Sequence, residues 1–391
     1  MSEEKLVPKL RFSGFDDEWQ SCRFDELFDF QVAGDMKKEL FNEEFIDEYK
    51  YPLYANALEN EGLLGYYKEY KYNPNSITVT ARGNIGHATA RKNKFNAVGR
   101  LIILTPKEDL NIEFFTEYIN NNVKIYIEST GVPQLTAPSL KINKLHYPTL
   151  NEQNKISNLL IMLNNKIELL GQKHQLYQYF KKYLMQQIFT QKLRFVDFNN
   201  SSWKDYKFKD LGTVKSGVGF SNKYQGHLDL DYNFYKVSDM NLKGNEKVMT
   251  RSNNTIDDNL LKDIGVKLIE NPSIIFAKVG EAIFLNRKRI AKQPFLIDNN
   301  MMAFSPNENV DLEFMYYLAT SINFGKYAQT GALPSYNASD IYSIKCKIPP
   351  IEEQKRIGKL LSLADNKIDF CSNQLNKTQE FKKGLLQQMF V

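Results

Sequence analysis

The chain has 391 residues, 42% of them apolar and 25% charged, which is the composition of a soluble globular protein and the length of two to three domains. No run approaches the roughly 18 uncharged apolar residues of a membrane span, and Met1-Ser2-Glu3-Glu4-Lys5 is charged rather than signal-like, so a cytoplasmic location is expected. Cys22, Cys346 and Cys371 form no CxxC and sit near no histidine cluster, so neither a disulfide framework nor a metal site is expected.

In chain order, the first recognisable segment is Lys9-Leu10-Arg11-Phe12, followed by Trp19, Phe24 and Leu27 in the pattern W-x4-F-x2-L. Ile77 to Thr80 and Leu101 to Leu104 have strand composition, and Asn111 to Asn121 reads as a helix. From Pro148 to Phe189 apolar residues recur at 3-4 spacing, which predicts a long helix. Its seam is Ile156, Leu160, Leu163, Ile167, Leu170, His174, Tyr177, Lys181, Leu184 and Ile188. Thr149 with Glu152 gives a capping-box pattern at its start.

The plan then repeats. Lys192-Leu193-Arg194-Phe195 precedes Trp203, Phe208 and Leu211. Ile274 to Phe276 and Met301 to Phe304 read as strands, and Asp311 to Phe324 as a helix. Pro106, Glu108, Glu113, Phe114, Thr130 and Gly131 return as Pro306, Glu308, Glu313, Phe314, Thr330 and Gly331. Pro349 to Phe390 matches Pro148 to Phe189 without a gap, at 17 of 42 positions. This second helix has the seam Ile357, Leu361, Ala364, Ile368, Cys371, Leu375, Thr378, Lys382, Leu385 and Met389. Such a stripe, about 55 Å long, needs a partner helix, and the other copy is the obvious one. The expected fold is therefore α+β (mixed α/β): globular inserts joined by two long helices in a coiled coil, with an internal pseudo-two-fold repeat.

The chemistry of catalysis is missing. There is no Asn/Asp-Pro-Pro-aromatic pocket for a flipped base, since Pro349-Pro350 lies between Ile348 and Ile351. Gly325-Lys326-Tyr327 and Gly358-Lys359-Leu360 fail the phosphate-loop pattern. No Pro-Asp dipeptide begins a nuclease metal site, and the four histidines offer little for acid-base work. The chain reads as non-catalytic, with no cofactor.

Net charge is +5, but residues 1–190 carry −1 and residues 191–391 carry +6. Local clusters are more telling. Leu64 to Arg100 holds seven Lys/Arg against one acid, centred on Arg82-Gly83-Asn84-Ile85-Gly86-His87 and Arg91-Lys92-Asn93-Lys94. Gly83 and Gly86 permit a tight turn. Arg82, Asn84 and His87 can read base edges, while lysines mainly neutralise phosphate. The second insert offers Lys278-Val279-Gly280-Glu281, then Arg287-Lys288-Arg289 and Lys292. Tyr51, Tyr54, Tyr66, Tyr67, Tyr70 and Tyr72 interleave with the first cluster, either as packing or as stacking groups. His146, His174 and His227 read as structural.

Taken together these residues resemble the specificity (S) subunits of Type I restriction-modification systems, over essentially the whole chain. The resemblance rests on Pro148-Thr-Leu-Asn-Glu-Gln153 and Pro349-Pro-Ile-Glu-Glu-Gln354, and on Leu184-Met-Gln-Gln-Ile-Phe189 and Leu385-Leu-Gln-Gln-Met-Phe390. Within the inserts it rests on Tyr51-Pro-Leu-Tyr54, Gly62 to Tyr66, Arg82-Gly-Asn-Ile-Gly86 and Tyr235-Lys-Val-Ser-Asp239. It implies target recognition domains at 1–147 and 191–347, each reading half of a split, asymmetric double-stranded DNA site. It implies helical regions at 148–190 and 348–391 that form an antiparallel coiled coil and dock two methyltransferase subunits, with restriction/translocase subunits joining the larger complex. Lys278-Val279-Gly280-Glu281 departs from it by lacking the second glycine of Arg82 to Gly86. A Type IIB-like specificity module and a helical scaffold that never touches DNA are the alternative readings.

Overall fold

Each half of the chain builds its core from buried strands and one short amphipathic helix, and each core is completed by pieces of both long helices. The computed structural model describes residues 5–124, 133–329 and 333–391. The repeated Thr130-Gly131 and Thr330-Gly331, and the charged residues Met1 to Glu4, lie outside the described residues. Two compact units result: residues 1–171 with 373–391, and residues 172–372.

In the first unit, Ser76–Val79 is buried on both faces because it is a central strand. It pairs antiparallel with Ile102–Pro106 and Ala88–Arg91, and Phe28–Val32 closes the four-stranded sheet. A second four-stranded sheet carries Tyr51–Tyr54 between Leu63–Tyr67 and the parallel Asn96–Ala97. The helix Ile112–Asn122 starts where the Asn111 side chain accepts a bond from Phe114 N at 2.9 Å. It buries Ile112, Phe114, Phe115, Tyr118 and Ile119. The W-x4-F-x2-L residues pack against it, with the Trp19 ring 5.7 Å from that of Phe114. Truncating Phe114 to alanine in such a site costs about 3–5 kcal/mol.

The second unit repeats this order. Gly212–Ser216, Met301–Pro306, Ser273–Ala277 and Lys288–Ala291 form the four-stranded sheet. Thr255–Ile256, Tyr232–Tyr235 and Phe295–Ile297 form the companion sheet, here with three strands. The helix Leu312–Ser321 is capped by Asp311 and meets Trp203 through Phe314, ring to ring at 6.1 Å. The expected helix over 311–324 is shorter by one turn; Phe324–Tyr327 forms a separate 3-10 turn started by Asn323.

The long helices are Leu150–Phe189 and Ile351–Met389. In the first unit Ile156, Leu160 and Leu163 share a core with Leu385, Met389 and Phe390. In the second, Leu184 and Ile188 share one with Ile357 and Leu361. Within each unit the N-terminal part of one helix meets the C-terminal part of the other, so the pairing is antiparallel. Every seam position named from the 3-4 spacing is buried or half-buried. The charged seam residues find carboxylates: Lys181 pairs with Asp365, and Lys382 with Glu117 at 2.9 Å.

The expected capping box at Thr149 does not form around Glu152. Both oxygens of that carboxylate are taken by the Arg11 guanidinium, at 2.7 and 2.8 Å. Gln153 closes the first turn instead, donating to Pro148 O at 2.8 Å and accepting from Asn111 N at 3.0 Å.

Candidate nucleic-acid interface

The basic segments singled out in the sequence lie along the same hairpin in the two units: on its second strand, just after that strand, and in the loop that joins its two strands. In the first unit this loop is residues 80–87, between Val79 and Ala88. Gly83 and Gly86 have φ of +68° and +86°, values that side chains disfavour, and so allow the turn. Thr80 holds the loop from inside: its hydroxyl donates to Asn84 O and accepts from His87 N, and its carbonyl accepts from Gly86 N at 2.8 Å. Asn56 buttresses the outer side, its carbonyl oxygen accepting from Ala81 N at 2.7 Å and Arg82 N at 3.3 Å. A loop so braced loses little entropy when its side chains engage a ligand.

Arg82, Asn84 and His87 are all exposed on this loop. The Arg82 guanidinium donates to Gln134 Oε1 at 3.4 Å. His87 has its pKa lowered by partial burial and, secondarily, by Arg91, so its ring is neutral at pH 7 and can both donate and accept. It stands between a cavity of about 410 Å³ and another of about 540 Å³, with Glu117 on both walls. Lys92 is exposed and 2.6 Å from Glu113; Lys94 is exposed and donates to Tyr70 Oη at 3.0 Å.

Two of the expected surface cations are interior. Arg91 lies flat on Tyr54, 3.5 Å from the ring centre, and donates to Thr78 Oγ1 at 2.9 Å and Glu61 O at 2.7 Å. Lys288 donates to Asn286 Oδ1 and to Ile322 O at 2.9 Å, beneath Phe324, with burial pushing its pKa down to about 7. Strand alternation explains the second case. Lys288 shares a face with Ile290, which is fully buried, so its side chain must point inward. Arg91 and Lys288 are therefore framework residues here, not a surface for phosphate.

In the second unit Arg287 and Lys292 are exposed, while Lys278 and Arg289 are half-buried. Arg287 donates to Asn241 Oδ1; Arg289 donates to Lys288 O at 2.9 Å and Met240 O at 3.3 Å. Sequence reasoning missed Asn56 as a brace, and it missed Phe284 and Leu285, which stand 58% and 59% exposed beside Arg287. Of the six tyrosines near the first cluster, Tyr67 and Tyr72 are buried and only Tyr70 is exposed, so most of them pack. Among the described residues no group of three or more His, Cys, Asp or Glu is placed to hold a metal, and no helix is long and apolar enough to cross a membrane.

Comparison with known proteins places these features in a family context. Residues 16–176 and 200–380 each match the Type I restriction modification DNA specificity domain. A putative type I specificity subunit of Mycoplasma pneumoniae is 32% identical over 173 residues, 41% of this chain and 47% of that protein. This alignment thus spans about half of that relative's length. The specificity subunit of the Type I restriction enzyme MjaVIII of Methanocaldococcus jannaschii is 20% identical over 95% of this chain and 91% of its own. In fold, the chain is similar to the crystal structure of a Type-I restriction-modification system S subunit from M. genitalium, with a TM-score of 0.65 at 17% identity, covering 98% of this chain and 99% of that one.

Proposed function

Because the chain belongs to the family of Type I restriction-modification DNA specificity subunits, the non-catalytic DNA-recognition members of these systems, we propose that it reads a bipartite, asymmetric site in double-stranded DNA. Residues 1–147 and 191–347 are the two target recognition domains, one for each half-site. One observation carries this reading. The same strand-to-strand loop is braced in both units, yet its exposed side chains differ: Arg82, Asn84 and His87 in one, Arg287 with Phe284 and Leu285 in the other. A common frame with unlike tips suits two unlike half-sites. Lys278, Arg287 and Arg289 contribute to reading the second half-site, and Lys92, Lys94 and Lys292 supply phosphate contacts around the tips.

The long helices serve as the docking surface for methyltransferase subunits, which a restriction/translocase subunit joins in the larger complex. Supporting this, each unit exposes apolar residues on the outer faces of its helical segments. These are Met162, Leu169 and Phe381 in the first unit, and Leu176, Tyr183, Leu363 and Phe370 in the second. One set per unit fits one methyltransferase per unit, two in all.

Mapping methylated adenines in DNA from cells that co-express the chain with its neighbouring methyltransferase tests the proposal. A split motif is expected, and exchanging residues 205–347 for a relative's insert should change one half-site only. Absence of a motif, or change in both halves, would overturn it. Methyl transfer by the purified chain alone would also count against it.

A further inference from the structure

The two recognition loops differ in length and in chemistry. In the second unit Phe276 pairs with Lys288, so the loop is residues 277–287, three residues longer than 80–87. The extra residues form the 3-10 turn Glu281–Ile283, whose Ile283 is buried and whose following residues Phe284 and Leu285 turn outward. Two adjacent large apolar side chains left in water forgo the gain of burial. A solvated turn has no need of them.

The turn is also built to hold them still. Asn286 takes the place that Gly86 has in the first unit and keeps its left-handed backbone, with φ of +50° despite a side chain. That conformation is held by three bonds to the Asn286 carboxamide. It donates to Ile322 O at 3.1 Å, and accepts from Phe324 N at 3.0 Å and from the buried Lys288 amine. Among the described residues no carboxylate pairs with that amine. On the other side, Gly280 N donates to Pro334 O at 2.8 Å, and exposed Leu333 lies against Gly280. A left-handed backbone on a residue with a side chain persists where the surrounding structure enforces it, and such places concentrate at functional sites.

We infer that Phe284 and Leu285 are a wedge that enters the DNA half-site read by the second unit and partly unstacks one base step. The inference rests on the DNA-reading role proposed above. Phe and Leu are the residue types that proteins insert between base pairs to kink a duplex. Lys278 and Arg287 flank the wedge against a single acid in the loop, Glu281, which favours a polyanion over an acidic or neutral protein surface. The first unit has no counterpart: its loop presents Arg82, Asn84 and His87, with Ile85 half-buried. One half-site is thus read by polar contacts to base edges, and the other by the ease with which a step opens.

The test uses the chain assembled with its methyltransferase subunits and duplexes carrying the mapped motif, with 2-aminopurine at successive positions of the half-site. The expected result is a fluorescence rise at one step in the wild-type complex. Phe284→Ala/Leu285→Ala should abolish that rise and weaken binding roughly 10- to 100-fold, with thermal unfolding and methyltransferase assembly unchanged. Specific binding by the wild type with no rise at any position would overturn the wedge while leaving the recognition reading intact. So would a rise that survives the double substitution. Loss of methyltransferase from the variant would reassign Phe284 and Leu285 to a protein contact. No specific binding by the wild-type complex would instead remove the recognition reading itself, and the wedge with it.

Discussion

Arg11 holds Glu152 through both carboxylate oxygens, at 2.7 and 2.8 Å, across 141 positions of sequence. The second unit repeats the bond with Arg194 and Glu353, at 3.1 and 2.7 Å. Each glutamate is 1% exposed, so the pair ties the segment before each domain to the first turn of a long helix. Removing one member of a buried pair strands the other. Glu152→Ala should destabilise the first unit by about 3–5 kcal/mol, and Glu152→Gln, which can still accept, by less. Urea unfolding followed by Trp19 fluorescence measures this; a loss within error of zero would show the pair to be idle.

The acid that meets the seam lysine sits on a different helix in each unit. In the first, the acid is Glu117 on the domain helix, facing Lys382 and, at 3.0 Å, Asn164. In the second, the acid is Asp365 on the long helix, facing Lys181 and the hydroxyl of Tyr317 on the domain helix. Glu117→Tyr should therefore cost about 1–3 kcal/mol, and adding Asn164→Asp, which recreates the second unit's arrangement, should recover most of it. A double-mutant cycle on the unfolding free energy should return a coupling of about 1 kcal/mol or more; additive effects would refute the correspondence.

Arg82→Ala should lower affinity for the mapped motif by roughly 1–3 kcal/mol and relax a single position of it. Lys94→Ala should weaken binding to all sequences alike and reduce the salt slope by about 0.9. Arg91→Ala should leave the motif unchanged and lower thermal stability, because its guanidinium is spent on Tyr54, Thr78 and Glu61. Fluorescence anisotropy across a salt series, beside a melting curve, separates the three outcomes.

Lys288 makes the second unit's stability depend on pH. An unfolded lysine keeps its proton to about pH 10.4, whereas burial makes Lys288 release it near 7. Below pH 7 the amine is charged in both states and the fold carries the whole cost of a buried cation. Between about 7 and 10 the unfolded chain binds more protons than the fold, so stability rises with pH. Lys288→Met should remove that slope: between pH 7 and pH 9 the wild type should gain about 2 kcal/mol more than the variant in urea unfolding. Equal gains would mean that the amine is not the titrating group.

The helices and the repeat were legible because a 3-4 spacing and a gapless match leave few alternatives, and Ile156, Leu160, Ile357 and Leu361 lie in the cores as that spacing requires. Strands Ser273–Ala277 and Met301–Pro306 followed from β-branched and apolar runs. Long-range partners did not. Nothing local links Arg11 to Glu152, and the nearby Thr149 offered a plausible but unrealised use for that carboxylate. A count of basic residues could not tell Arg287 from Lys288, because adjacent strand positions face opposite ways and only the buried Ile290 fixes which. Phe284 and Leu285 carry no sequence signal of exposure, and the turn that exposes them depends on a left-handed Asn286 that no short pattern announces.

Residues 373–391 complete the unit that contains residues 1–171. Phe390 packs its ring 5.3 Å from that of Phe114 and 6.2 Å from that of Trp19. On the ribosome the unit begun by residues 1–171 is thus completed only after residues 172–372, and Trp19, Phe114 and their neighbours stay uncovered while two hundred further residues are made. Such a nascent chain is a client for chaperones at its N-terminal half. The genetic consequence runs against intuition: a premature stop after Ser372 spares residues 172–372, and the damage falls on the unit encoded upstream of them.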